Sequence, residues 1–241
     1  MITNSQSGTN IEEVASGIYR INTPIPIPGA GTFNFNQYLV VDESPLLFHT
    51  GQHSLFPLVQ QAIESVMPVS RLRYIAFSHF EADECGALND FLAGAPAAEP
   101  VCSGIAAMTS ITDYAAREPH VLADNEELSL GAKTVRWLDT PHLPHGWESG
   151  LVFETTTKTL FCGDLFTQGG SGKVALTERD ILGPSEAFRK PMDYYSHSPQ
   201  TGAMLERLAA LSPTTLACMH GSAWRGDGAA LLRKLGESLR G

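Results

Sequence analysis

Apolar positions in the first third of the chain fall into short strand-like blocks at 14–21, 33–41 and 46–49, after which Gly51 turns the chain. The period then changes. Leu55, Leu58, Val59, Ala62, Ile63 and Val66 recur at three- and four-residue steps, which predicts a helix over 54–66 that stops before Pro68. A strand over 72–78, a helix over 85–92, a strand over 100–103 and a helix over 106–117 follow. The second half restarts with strands at 127–130, 134–139, 151–154 and 159–162, the last two joined by the polar hairpin loop 155–158. A helix over 200–211, a strand over 214–219 and an amphipathic helix over 228–239 close the chain. Strands alternating with helices predict a sheet with helices packed on its face. Because each half runs strands and then helix, the pattern predicts two such layers facing each other in one domain over 1–241. The polar stretch 1–10 is expected to be a flexible tail, and the glycine-rich stretch 168–172 the most mobile loop.

Composition narrows this picture. With 241 residues, 43% hydrophobic and 17% charged, the chain can bury a sizeable core. A net charge of −10 with no Lys/Arg cluster excludes a nucleic-acid partner. No apolar run is long enough to span a bilayer, and no basic-then-apolar leader opens the chain, so a cytoplasmic protein without membrane contact is expected. Cys85, Cys102, Cys162 and Cys218 form no Cys-x-x-Cys pair, which excludes a rubredoxin-like or zinc-ribbon site in these residues.

The chemistry concentrates at strand ends. Ser78-His79-Phe80-Glu81-Ala82-Asp83-Glu84 follows the 72–78 strand, and in extended chain His79, Glu81 and Asp83 point to one side. Imidazole and carboxylate converging in one loop are metal ligands by type. Asp139-Thr140-Pro141-His142-Leu143-Pro144-His145-Gly146 offers two more imidazoles after another strand. Phe161-Cys162-Gly163-Asp164 ends a third strand on a carboxylate, and Ala217-Cys218-Met219-His220-Gly221 ends a fourth on an imidazole. Four strand ends carrying ligand-type residues predict a metal site.

This set resembles the metallo-β-lactamase superfamily over about 18–230, and within it the β-lactamase-like domain of flavodiiron proteins and the stand-alone oxygen-binding di-iron proteins. The resemblance implies an αββα sandwich, two mixed β-sheets flanked by helices. The zinc hydrolases of the superfamily carry His-x-His-x-Asp-His at the opening run, whereas the second position here is Glu81, as in the flavodiiron type. Carried over, His79, Glu81 and His145 would hold one iron, Asp83 and His220 the other, and Asp164 would bridge them. Three carboxylates against two divalent ions leave one positive charge, which a bridging hydroxide or oxo group would offset. Zinc or manganese remain acceptable to these donors.

Position 84 is Glu where the resembled proteins have His, so Glu84 is either an additional ligand or an acid opening the next helix. His142 and His49 are expected to support the site, and Trp147 and Tyr195 to line its pocket. The implied function is binding or reduction of O2 or a similar diatomic. No flavin is expected on this chain, nor any flavodoxin or rubredoxin domain, so electrons would come from a separate donor protein. The alternative is a metal-dependent hydrolase acting on an ester, thioester or lactone.

Overall fold

The computed structural model describes residues 1–29 and 31–240. Among these residues the first half forms an eight-stranded sheet ordered as in the sequence: β1 (Ile2–Asn4), β2 (Thr9–Ala15), β3 (Ile18–Ile27), β4 (Gly31–Val40), β5 (Leu46–Phe48), β6 (Tyr74–Ala76), β7 (Glu99–Ser103) and β8 (His120–Leu122). The pairings from β1 to β5 are antiparallel and those from β5 to β8 parallel. Parallel strands need crossovers, and these are helical: α1 (Phe56–Glu64), α2 (Ala82–Cys85), α3 (Leu88–Gly94), α4 (Gly104–Ala106) and α5 (Thr112–Tyr114).

The second half builds a seven-stranded mixed sheet from β9 (Glu127–Ser129), β10 (Thr134–Asp139), β11 (Gly150–Glu154), β12 (Thr159–Phe161), β13 (Leu176–Thr177), β14 (Thr215–Ala217) and β15 (Ala223–Arg225), in the order β13-β15-β14-β12-β11-β10-β9. Helices α6 (Leu182–Met192), α7 (Thr201–Ala210) and α8 (Gly228–Ser238) accompany it. Three apolar clusters separate the layers. Val59, Ile63, Phe91 and Leu92 from α1 and α3 pack with Leu39, Leu47 and Ile75 of the first sheet. Tyr38, Phe48, Trp137, Val152 and Phe161 fill the space between the sheets. Leu160 and Leu216 meet Leu205, Leu208, Leu232 and Leu235 of α7 and α8. Burying each such side chain contributes about 1.5–3 kcal/mol. The architecture is αββα, two mixed sheets with helices outside.

Three expectations are corrected, and one helix was not foreseen. Residues 1–10 are not a tail: β1 pairs with β2, and the Met1 amino group donates to the Ile11 carbonyl at 2.8 Å. Backbone pairing at a sheet edge needs no apolar side chains, so composition hid it. The single strand expected over 14–21 is the end of β2 and the start of β3, divided where Gly17 adopts φ 69°. The helix expected over 106–117 is α4 and α5 joined by one widened turn, Ala107–Ile111. Helix α6 had no counterpart in the sequence reading.

Candidate metal centre

The parallel strands aim their C-terminal ends at one rim. Beyond β6 the chain presents His79, then Glu81 in extended conformation, then Asp83 and Glu84 in the turn of α2. His145 lies in the β10–β11 loop. Strands β12 and β14 pair in parallel with Phe161 opposite Ala217, so Asp164 and His220 each emerge three residues past one register pair. Gly163 makes that exit possible. It sits at φ 51°, and a Cβ there would lie 3.0 Å from the Ser78 side chain.

These donors form two groups that meet on Asp164. His79 Nε2 lies 2.9 Å from His145 Nε2 and 3.8 Å from a Glu81 oxygen, and His145 Nε2 is 3.2 Å from the other Glu81 oxygen. Asp164 Oδ2 is 3.9 Å from His79 and 3.7 Å from His145. On the other side, His220 Nε2 is 3.6 Å from Asp83 Oδ2 and 3.3 Å from Asp164 Oδ1. The two oxygens of Asp164 therefore face different groups. Ligand atoms of Asp83, Glu84 and His220 lie within 4.8 Å of one another, as do those of His79, His145 and Asp164 and those of His79, Glu81 and Glu84. His49, His142, Trp147 and Tyr195 belong to none of these groups.

Glu84 decides whether the cluster fits cations. Its side chain is 0% exposed, lies 3.9 Å from His79 Nε2, and neither carboxylate oxygen has a hydrogen-bond partner. An acid that only opened a helix would sit in water. Burial, and then the charges of Asp164 and Asp83, push its carboxyl well above the usual range. Asp164 Oδ1 and His145 Nδ1 are also buried without hydrogen-bond partners. The Glu84 and Asp164 oxygens, buried and unpartnered beyond two strand ends, converge with His145 Nε2 and the other donors on one volume, an arrangement that a bound cation would satisfy.

Charge and orientation follow the same plan. The neighbouring imidazoles, His145 first and then His79, hold the Glu81 carboxyl at about 2, so it is ionised at neutral pH. Burial alone would raise the Asp164 carboxyl, but His220 and the other imidazoles outweigh it and hold it far below its ordinary value. Each inner imidazole is oriented from behind. His220 Nδ1 donates to the Asn34 carbonyl at 2.7 Å, which leaves Nε2 free to bind. His79 Nδ1 contacts Ser78 Oγ at 2.9 Å, and Ser78 Oγ contacts His49 Nε2 at 3.0 Å. Burial, then His79, keeps His49 neutral.

A cavity of about 200 Å³ opens over the donors, lined by Phe33, Phe188, Met192, Tyr194 and Thr167 beside Glu81, His145, Asp164 and His220. Three residues expected to surround it lie elsewhere. Trp147 is 52% exposed, and His142 points to solvent from a left-handed backbone at φ 64°. Tyr195 is buried and borders a separate cavity with Arg189 and Arg240. Its neighbour Tyr194 takes the place by the donors, and its hydroxyl donates to the Asp164 carbonyl at 3.1 Å. Phe188 and Met192 come from α6, which carries Gly183, Pro184 and Pro191 and so gave no helical signal.

Comparison with known proteins bears on the same residues. The profile of the ODP family beta lactamase matches residues 33–221. The rubredoxin-oxygen oxidoreductase of Megalodesulfovibrio gigas is 30% identical over 210 residues, covering 80% of this chain and 49% of that protein. The anaerobic nitric oxide reductase flavorubredoxin of Pectobacterium atrosepticum is 26% identical over 210 residues, covering 83% of this chain and 40% of that protein. The chain thus spans less than half the length of these curated relatives. Among solved structures, a mutant of the flavo di-iron protein from Thermotoga maritima superposes with a TM-score of 0.82 at 18% identity, over 96% of this chain and 61% of that one, a likeness of fold.

Proposed function

The chain belongs to the ODP family of beta lactamases, and from that premise we propose that it is a non-haem di-iron protein that binds or reduces a small diatomic, O2 or NO. The observation that carries this reading is the pair of donor groups facing opposite oxygens of Asp164 beneath a small apolar mouth. In this reading His79, Glu81 and His145 hold one ion, Asp83, Glu84 and His220 the other, and Asp164 spans both. Iron held there would supply the electrons and the open coordination that a diatomic needs. Four carboxylates offset two divalent ions without further anions, and oxygen-rich donors favour iron or manganese over zinc.

The chain's own residues would do the rest. Asn34 and Ser78 fix the inner imidazoles with Nε2 toward the ions. Phe33, Phe188 and Met192 wall the mouth with apolar surface, which admits a diatomic and keeps bulk water back. Glu81, half exposed and ionised, marks the side from which solvent reaches the donors. The names of these two relatives, a rubredoxin-oxygen oxidoreductase and a nitric oxide reductase flavorubredoxin, support O2 and NO as the molecules handled and an electron-carrier protein as the source of electrons. A hydrolase would need room for an acyl group, and about 200 Å³ is below the size usual for organic ligands.

The test is rapid mixing of anaerobically iron-loaded, chemically reduced protein with O2 or NO. Uptake of the gas with a matching change in visible absorbance is expected. Inert iron-loaded protein, together with ester or lactone cleavage by zinc-loaded protein, would contradict the proposal.

A further inference from the structure

Arg20 is fully buried, and none of the hydrogen bonds it makes goes to a carboxylate. The other buried arginine, Arg189, is paired with Glu186. An internal guanidinium without an acid in contact is costly, so what it holds deserves an explanation. All of its hydrogen bonds run from Nη2: to Asn22 Oδ1 at 3.0 Å, to the Gly172 carbonyl at 2.8 Å and to the Gly221 carbonyl at 2.7 Å. Gly221 follows His220, and Gly172 ends the loop that leaves Asp164. Arg20 therefore ties together the segments that carry Asp164, which faces both groups, and His220.

A layer of asparagines completes the clamp. Asn34 Nδ2 donates to Asn22 Oδ1 at 2.8 Å and to Asn36 Oδ1 at 3.0 Å, while Asn34 Oδ1 accepts from the Gly221 amide at 2.9 Å. Asn36 Nδ2 donates to the carbonyls of Cys218 and Gly221, both at 2.9 Å. From the loop side, the Gln168 amide donates to the His220 carbonyl at 3.2 Å, and the Gln168 side chain bonds both backbone groups of Ser222. Loop and turn are packed without slack: a Cβ on Gly172, at φ 59°, would lie 2.6 Å from Arg20 Nη2 and Asn34 Nδ2.

We propose that Arg20 is a positioning residue that locks the 168–172 loop to the His220 turn, so that Asp164 and His220 are held as one unit. It touches no donor atom and acts through Gly172, Gly221 and the asparagine layer. The consequence for metals rests on the di-iron reading, but the lock itself is a property of the metal-free chain.

The experiment has two arms on purified full chain. In the metal-free protein, hydrogen–deuterium exchange is followed for Arg20→Met and for Gly172→Ala, which breaks the lock from the other side without removing a charge. Exchange should rise together in peptides covering 168–173 and 218–222 in both variants and stay unchanged in β10 and β11. Unchanged exchange in either segment, or a rise spread over the whole chain, would overturn the lock. In the second arm, cobalt(II) is titrated and its visible bands are read. Folded variants should bind the equivalent held by His220 about 10- to 100-fold more weakly, with a smaller loss at the other because Asp164 faces both, and with partial recovery in Arg20→Lys. Wild-type affinity for both equivalents would refute a positioning role. Wild type that takes up no cobalt would contradict the metal reading while leaving the exchange result to decide the lock.

Discussion

Glu84→Gln should make the metal-free protein more stable and reduce the stability it gains from metal. Without metal, the buried Glu84 carboxyl has no hydrogen-bond partner and faces Asp164 and Asp83. Burial raises its folded value well above the ordinary 4.5, so the folded chain holds a proton that the unfolded chain releases. Stability from this group is therefore complete below about 4.5 and declines as pH rises toward the folded value. Glutamine keeps the shape, cannot ionise, and can donate to Asp83. A buried unsatisfied group costs about 1–3 kcal/mol. At about 2–4 °C per kcal/mol for a chain of this size, the midpoint of metal-free Glu84→Gln should rise by several degrees at neutral pH, with a flatter pH dependence. With metal this advantage is largely cancelled. Loss of a donor that weakens binding about 10- to 100-fold removes about 1.4–2.8 kcal/mol of ligand stabilisation. Calorimetric melts of both proteins, stripped and metal-saturated, from about pH 5 to 8 test this, since a carboxyl must lose its proton to bind. A variant less stable than wild type when stripped, or one gaining as much from metal, would refute the reasoning.

Other outcomes follow from the geometry. Asp164→Ala should lose both metals, because each oxygen of that carboxylate faces a different donor group; retention of two equivalents by elemental analysis would remove its bridging role. His145→Ala should lower metal content strongly and His142→Ala should not, since the first sits 3.2 Å from Glu81 and the second points to solvent. Phe188→Ala should leave metal content intact while admitting ligands larger than a diatomic, read as increased binding of an organic isocyanide or nitroso probe by the iron-loaded protein.

The sequence carried the donors better than the enclosure. His79, Glu81, Asp83, His145, Asp164 and His220 stand at the ends of apolar strands, and strand ends are legible because an apolar run stops there and ligand-type residues begin. The supporting layer was less so. Ser78 and Asn34 act through a hydroxyl and a carbonyl, and nothing in residue type marks either as holding an imidazole. Arg20 falls within the strand-like block 14–21 with nothing to single it out, and only tertiary pairing brings Gly172 and Gly221 to it. The pocket was misjudged for a local reason: Trp147 and Tyr195 are the larger or more deeply buried aromatics, yet α6 delivers Phe188, and Tyr194 rather than its neighbour faces the donors. Glu84 could be read in two ways until its burial was known.

The central claim is that this donor set selects and holds two irons. Metal-free protein is offered equal excesses of iron(II), zinc(II) and manganese(II) under anaerobic reducing conditions, freed of unbound metal, and analysed for content. The account predicts two metals per chain with iron in excess of zinc, and Glu81→His shifting the balance toward zinc. A chain that fills with zinc in this competition, or holds fewer than two metals when saturated, would contradict it.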